Sequence, residues 1–587
     1  LLKDLLNEFV NHPDFDVDTM VLDNYQLKPG LYIRFNNDNT MNEIYVSKKT
    51  DFAENDPLAE WFKKADFYSS LIEMNKPVDP KKKIHSNNLF TLFCKRDVFY
   101  QEGKVHPELQ EHIDRYFSAL LNPRNRETAE ILAAAYYESL PEESVNYSKA
   151  RFNSVLDMVA EYIKKEGIRD NCYIKIFLNA EEEAYVYESG RYLLPKIFNN
   201  NSCNVNVGGR ILGLSNTDMG MNAKKPFLEH KTTAFKVPYR ISAEEALLLR
   251  KLYLWLFGQG RGGRPLYNGY IPVWEHAPQL LLVANEVDVR KPVIYLHFER
   301  GINLTIDDCE FLPSFSDKMS KAIAFTNYFD NCLNKSNYKG GILDKLSAVE
   351  AHINENLYAF QLLRNYDVEN IKVTDKLSQA LANQIMLSRE AMRAWLRKGY
   401  SLPMQSGVDK ITMGVILARL QKLEFIPALA YALNVRFSLM KYFREEEKDM
   451  GLTIQTAYLN LREKVLNTKD TANCENDLEF YLATGQLLRY FFSLSQAQTL
   501  HYDVLWRGIT AARDAGDIKT ECRKYFQRYA HDININNPRF NNMLSIVSSY
   551  LPEKEEPINL DALFYGFAAD NIIYYKDKED DKNDKEQ

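Results

Sequence analysis

Beyond Asp317 the apolar residues recur at helical spacing almost without interruption, and the β-branched alternation seen earlier in the chain disappears. That change of period divides the fold. It predicts an α+β N-terminal domain with small mixed or antiparallel sheets, followed by an α-helical bundle. Helices are expected over 410–434, 435–447, 453–466, 477–494, 504–513, 518–530, 540–551 and 560–573, with short links at 536–538 and 552–557 that suit antiparallel neighbours. The break YSLPMQSG at 400–407 places the domain boundary, giving 1–399 and 400–573. The remainder, 574–587, is expected to be a disordered acidic tail, since KDKEDDKNDKEQ cannot bury apolar area.

In the N-terminal half, 30–47 reads as a hairpin about an Asn/Asp turn, and CYIKIFL at 172–178 as a buried strand. The stretch 106–165 is mostly helical, broken at Pro123 and Pro141. A helix is predicted over 242–257, with Ser242 and Glu245 in capping-box register. Two strands about a glycine turn are predicted over 292–307.

With 73 Lys and Arg against 80 Asp and Glu, the chain carries a formal charge of −7 and is not built to coat nucleic acid indiscriminately. Any such surface has to be a local patch. The seven cysteines contain no Cys-x-x-Cys pair, which points to reduced thiols and offers no zinc ribbon. No apolar run approaches the roughly 20 residues of a membrane span. The first ten residues are amphipathic without a signal-peptide profile, so a soluble cytoplasmic protein with no membrane partner is expected.

The segment 207–240, VGGRILGLSNTDMGMNAKKPFLEHKTTAFKVPYR, is too polar and glycine-rich for a core and reads as a displayed loop. Asn216 and Asn222 carry amides that both donate and accept, as a base edge requires, and Lys224, Lys225, Lys231, Lys236 and Arg240 add positive charge. A surface loop whose asparagines only close turns fits the same residues. A second basic, amide-bearing stretch precedes a strand: Lys81, Lys82, Lys83, then Asn87 and Asn88.

Gly258, Gly260 and Gly263 match dinucleotide-loop spacing, but a helix precedes them and Pro265 follows, so the context rejects that motif. Arg261 and Arg264 make the segment a basic loop suited to phosphates or simply solvated. Arg389, Arg393 and Arg397 line one helix face and could track a phosphate backbone or be paired internally. His531-Asp532 resembles the metal-binding His-Asp pair of one nuclease family only as a lone dipeptide, which fits a structural role better, and no nucleophile, phosphate-loop or zinc signature accompanies it. No cofactor, metal or catalytic residue is therefore assigned. The aromatic run Phe480, Tyr481, Tyr490, Phe491 and Phe492 is expected in the bundle core.

Several segments, in order, resemble the large subunit of type I-B CRISPR Cascade, the b-subtype of the eighth Cas family. They are IHSNNLFTLFCK, GLSNTDMGMNAKKPFLEHKT, DLEFYLATGQLLRYFFSLSQAQT, RFNNMLSIVSSYL and LDALFYGFAADNIIY. The resemblance implies a non-catalytic subunit of an RNA-guided complex that reads the PAM beside the target, helps open the duplex and stabilises the displaced strand. Implied partners are guide RNA, target double-stranded DNA, the backbone, guide-end and small subunits, and a helicase-nuclease. The resemblance makes Asn216 and Asn222 PAM-base candidates, with Lys224 or Lys225 as wedge or phosphate anchor and Arg261 and Arg264 on target DNA. Lys81–Lys83, Asn87, Asn88, Lys231 and the Arg389/Arg393/Arg397 face would hold nucleic-acid backbone. It also implies a small subunit from an internal start, with Met413, Met440 and Met450 as candidates. A metal-dependent nuclease and a helical protein scaffold are the competing readings.

Overall fold

The computed structural model describes residues 2–575 apart from 13–16, 48–49, 51, 53–55, 123–131, 133–140, 169–171, 200, 218–238, 262, 274–279, 302–303, 335, 367, 369, 421–425, 445–448, 470, 497–501 and 553–556. The chain forms two compact units. One comprises Leu1–Leu281 with Ile294–Phe311, the other Leu282–Val293 with Leu312–Gln587.

The first unit is built on a four-stranded mixed sheet. Gly30–Phe35 pairs antiparallel with Met41–Val46 and parallel with Tyr173–Leu178, which in turn pairs antiparallel with Thr91–Lys95. The twofold alternation of side chains sends Leu31, Ile33 and Phe35 into one core and Tyr32 into another, with Ile174 and Ile176 opposed to Phe177 in the same way. Helices Leu109–Leu121 and Glu142–Glu166 contribute to the first core, Pro57–Ser69 and Ala243–Gly258 to the second. Inside the strand expected to be buried, the charged Lys175 is buried too. Its ammonium meets Asp66 and lies 3.1 Å from the Tyr32 hydroxyl, while Tyr25 donates to the other Asp66 oxygen at 2.9 Å. Burial lowers the Lys175 pKa against the pull of Asp66, so this charge is held by its partners rather than by water.

The second unit opens with an antiparallel hairpin, Lys318–Phe325 with Gly341–Lys345, so strand structure continues past Asp317. These strands carry mostly exposed or half-buried side chains and lack a strong alternation, which hid them in the sequence. Among the described residues from Gln379 onward every regular element is helical. The C-terminal helices begin where caps dictate. Asp449, Asn476, Asp514, Asn537 and Asn559 each accept backbone N–H bonds ahead of Met450–Leu466, Asp477–Ser493, Ala515–Arg528, Pro538–Ser549 and Leu560–Ala568.

Two boundaries differ from expectation. The expected helix 410–434 is replaced by Leu402–Leu420 and Pro427–Arg444. Residues 400–407 form no domain break: Gly399, at φ 78, closes Gln379–Lys398 with its amide on Trp395 O and the Tyr400 amide on Ala394 O, and the next helix starts at Leu402. Pro403 is tolerated there because a first-turn residue has no intrahelical N–H bond to lose. The helical part is also not self-contained after 407. The segment 326–334 is built into it: the Tyr328 amide donates to Asn434 Oδ1 at 2.9 Å, Tyr565 OH donates to Tyr328 O at 2.6 Å, and Phe329 stacks on Tyr565 at 4.2 Å. Compactness therefore divides the chain near residue 312 rather than at 400.

All seven cysteines are unpaired thiols. Among the described residues no helix is long and apolar enough to cross a membrane.

Candidate nucleic-acid interface

The described ends of the segment 214–240 are held in a defined frame. Its first part is a hairpin, Val205–Val207 with Arg210–Gly213, turned by Gly208 and Gly209 at φ 59 and 81, where glycine avoids the Cβ penalty. Arg210–Gly213 then pairs with Ile241–Ser242, joining the two ends of the segment 214–240. A second ladder grips its start: Asn199 N donates to Leu214 O at 2.8 Å and Asn216 N to Ile197 O at 2.9 Å. Gly213 is required because a Cβ would come within 2.6 Å of the Phe198 ring. At the far end Arg240 Nε donates to Cys203 O at 2.7 Å, and the Ser242/Glu245 capping box starts the next helix as its sequence register predicts. Half-buried Asn216 spends only its backbone amide here; its side chain has no hydrogen bond among the described residues. Asn222, Lys224, Lys225, Lys231 and Lys236 lie outside the described residues.

The lysine loop is organised by an aspartate that the sequence reading overlooked. Fully buried Asp79 accepts from the amides of Lys81 at 3.0 Å, Lys83 at 2.7 Å and Ile84 at 3.1 Å, and from Arg115 Nε at 2.8 Å. Lys81, Lys82 and Lys83 consequently face outward and are exposed, with Lys82 reaching Asn75 at 3.0 Å. Burial alone would raise the Asp79 carboxyl, but Arg115 and the three amides outweigh it and hold the pKa below the ordinary carboxylate value. A depressed carboxylate contributes stability above its unfolded pKa that is lost as pH falls through the folded one. Protection of the Lys81, Lys83 and Ile84 amides, corrected for intrinsic exchange, is therefore expected to fall once pH drops below the ordinary carboxylate range. Unchanged protection after full protonation would remove Asp79 as the organiser.

Asn87 and Asn88 do not join those lysines on the surface. Both are buried: Asn87 Nδ2 donates to Tyr68 O at 3.0 Å and Ser70 O at 2.8 Å, and Asn88 Nδ2 to Ser69 Oγ at 3.0 Å. Asn88 Oδ1 accepts from the Phe90 amide and Thr91 Oγ1. Their amides are spent on the protein's own chain, and a structural role replaces the expected backbone contact.

The stripe on Gln379–Lys398 is corrected in the same way. Arg389 Nη1 donates to Val368 O at 2.8 Å, Arg393 Nη2 to Tyr366 O at 3.2 Å, and Arg397 Nε to Glu350 at 3.0 Å. The Arg397 guanidinium lies 4.2 Å from the centre of the buried Tyr366 ring. Helical period placed the three arginines on one face correctly, but that face clamps Tyr366 and Val368.

Arg261 and Arg264 remain exposed on a two-residue hairpin, Gly260–Arg261 with Arg264–Pro265, with Gly263 at φ 72. Its base is fixed by Arg300, another residue that spacing did not reveal. Arg300 donates to Phe257 O and Gln259 O at 2.5 Å, Leu266 O at 2.7 Å and Leu256 O at 3.0 Å, satisfying carbonyls at a helix end. The glycines thus serve a hairpin that follows a helix, without the strand-turn-helix of a dinucleotide loop.

His531 and Asp532 are exposed after the helix Ala515–Arg528, and among the described residues no three His, Cys, Asp or Glu side chains converge as metal ligands. Phe480, Tyr481, Tyr490, Phe491 and Phe492 are buried, as helical spacing predicts for core. Compared with protein-family models, curated proteins and solved structures, the chain matches none.

Proposed function

We propose that this chain is the non-catalytic large subunit of a type I-B Cascade complex, acting by binding guide RNA and target double-stranded DNA. The observation that carries the reading is the framed root of the 214–240 segment, bridged between Gly213 and Ile241, from which an amide- and lysine-rich sequence departs. Hydrogen-bonded ends would present the intervening sequence in a fixed register, which base readout requires. The ordered family-like segments in both halves of the sequence support the same conclusion. In this reading Asn216 and Asn222 contact PAM bases, and Lys224, Lys225 and Lys231 hold phosphate. Arg261, Arg264 and the exposed Lys81–Lys83 loop are further backbone contacts. Backbone, guide-end and small subunits and the helicase-nuclease are the proposed protein partners.

The test is target binding by the assembled complex on duplexes with a library of flanking sequences. Asn222→Ala is expected to relax PAM discrimination by roughly 1–3 kcal/mol per lost base contact. Lys225→Ala should weaken binding across all flanks and reduce the salt slope by about one. If both variants keep the parental flank preference and salt slope, the 214–240 segment is not the reader.

A further inference from the structure

A cluster of cations lies beside the frame that holds the ends of the 214–240 segment, and one member has no counter-ion among the described residues. Tyr192 is its platform. The buried phenol accepts from the Ile72 amide at 3.2 Å and donates to Lys76 O at 2.7 Å, which fixes the ring. The Lys196 ammonium sits 4.5 Å from the centre of that ring. It has no hydrogen bond to a carboxylate, or to any other group, among the described residues.

The surroundings deepen this imbalance. Lys76 Nζ donates to Lys196 O at 3.2 Å and Phe198 O at 2.6 Å, which brings a second ammonium against the same turn. Arg191 adjoins Tyr192 in sequence but is neutralised by Glu188 through bonds of 3.0 and 2.9 Å. Glu73 is the carboxylate whose field reaches Lys76, and among the described residues no carboxylate offsets Lys196. Burial foremost, then Arg191 and Lys76, push the Lys196 ammonium down to about 8. A half-buried cation on an aromatic face, with positive neighbours and no anion among the described residues, is stabilised by an external anion that completes the site.

Its place in the chain says which anion. Lys196 directly precedes Ile197, whose carbonyl receives the Asn216 amide, and Phe198 bridges to Ser215. The cation therefore stands beside the start of the 214–240 segment, at Ser215 and Asn216. We propose that Lys196, on the Tyr192 ring and beside Lys76, seats a phosphodiester group of the bound nucleic acid. This rests on the nucleic-acid reading above and gives it a contact that positions backbone while the loop reads bases.

The test is fluorescence anisotropy of the full assembly with a short labelled DNA duplex, titrated against salt and pH. Lys196→Gln should lower affinity by roughly an order of magnitude at low salt and reduce the salt slope by about one. Parental affinity should fall as pH rises through about 8, because the ammonium loses the proton that attracts phosphate. Lys196→Arg should keep the affinity and abolish that decline, since a guanidinium stays charged. A purely structural lysine would move neither slope nor pH profile. If Lys196→Gln binds with the parental slope and pH profile, the phosphate seat is wrong while the nucleic-acid reading stands. If the parental assembly binds no duplex at all, both fall.

Discussion

Replacing Arg436 with methionine is expected to destabilise the helical unit by roughly 3–5 kcal/mol, because it strands a partly buried carboxylate. Arg436 is 3% exposed and joins three helices. Its Nε and Nη2 grip Asp561 at 2.7 and 2.8 Å, Nη2 also meets Asp409 at 2.6 Å, and Nη1 donates to Thr412 Oγ1 at 2.7 Å. Burial works against the guanidinium charge, but Asp561 and Asp409 outweigh it and hold the charged form. Chemical denaturation checks this. The double variant Arg436→Met with Asp561→Leu should recover part of the loss, since removing both charges also removes the desolvation cost. A single variant within about 1 kcal/mol of the parent would reduce the network to a surface-type pair.

Gly485→Ala and Gly566→Ala should each cost about 3 kcal/mol, the upper end of core overpacking. The helices Asp477–Ser493 and Leu560–Ala568 approach through these glycines. A Cβ on Gly485 would collide with the Leu563 carbonyl and come within 2.6 Å of the Phe567 nitrogen; one on Gly566 would strike the Leu482 carbonyl and lie 3.0 Å from its Cα. Backbone cannot rotate away as a side chain can. The same contact carries polar bonds that separation would break: Arg489 Nη1 to the carbonyls of Phe567, Ala568 and Ala569 at 3.0, 2.9 and 2.8 Å, and Asn571 Nδ2 to Gln486 O at 3.0 Å. Thermal melts should show both losses. The pair should lose less than the sum, because the first substitution already opens the gap the second needs. Parental stability in either single variant would mean that the helices separate freely.

Features set by near neighbours were legible in the sequence. The Ser242/Glu245 box, the hairpin at 30–47, the core role of Phe480 to Phe492 and most C-terminal helices depend on residues within a turn or two of one another. Features set by distant partners were not. Asn87 looks like any loop asparagine until Tyr68 and Ser70 arrive, and Arg397 like a solvated charge until Glu350 and Tyr366 cover it. Asp79, Lys175, Arg300 and Arg436 share this character, since each takes its role from segments that spacing cannot bring together. Lys175 did leave a trace, as a charge inside CYIKIFL. In the candidate site, the amides and lysines of the loop were visible as composition, whereas the ladder that frames them depends on Ile197 and Leu214 meeting across the fold.

The threading of residues 326–334 through the helices bears on any shorter product of this chain. Translation begun at Met413, Met440 or Met450 would omit the plug formed by Tyr328 and Phe329 and leave an open socket walled by Tyr565, Phe437 and Asn434 or by whatever part of it survives. Such a fragment could stand alone only by collapsing that socket or by borrowing an apolar insert from a neighbouring protein.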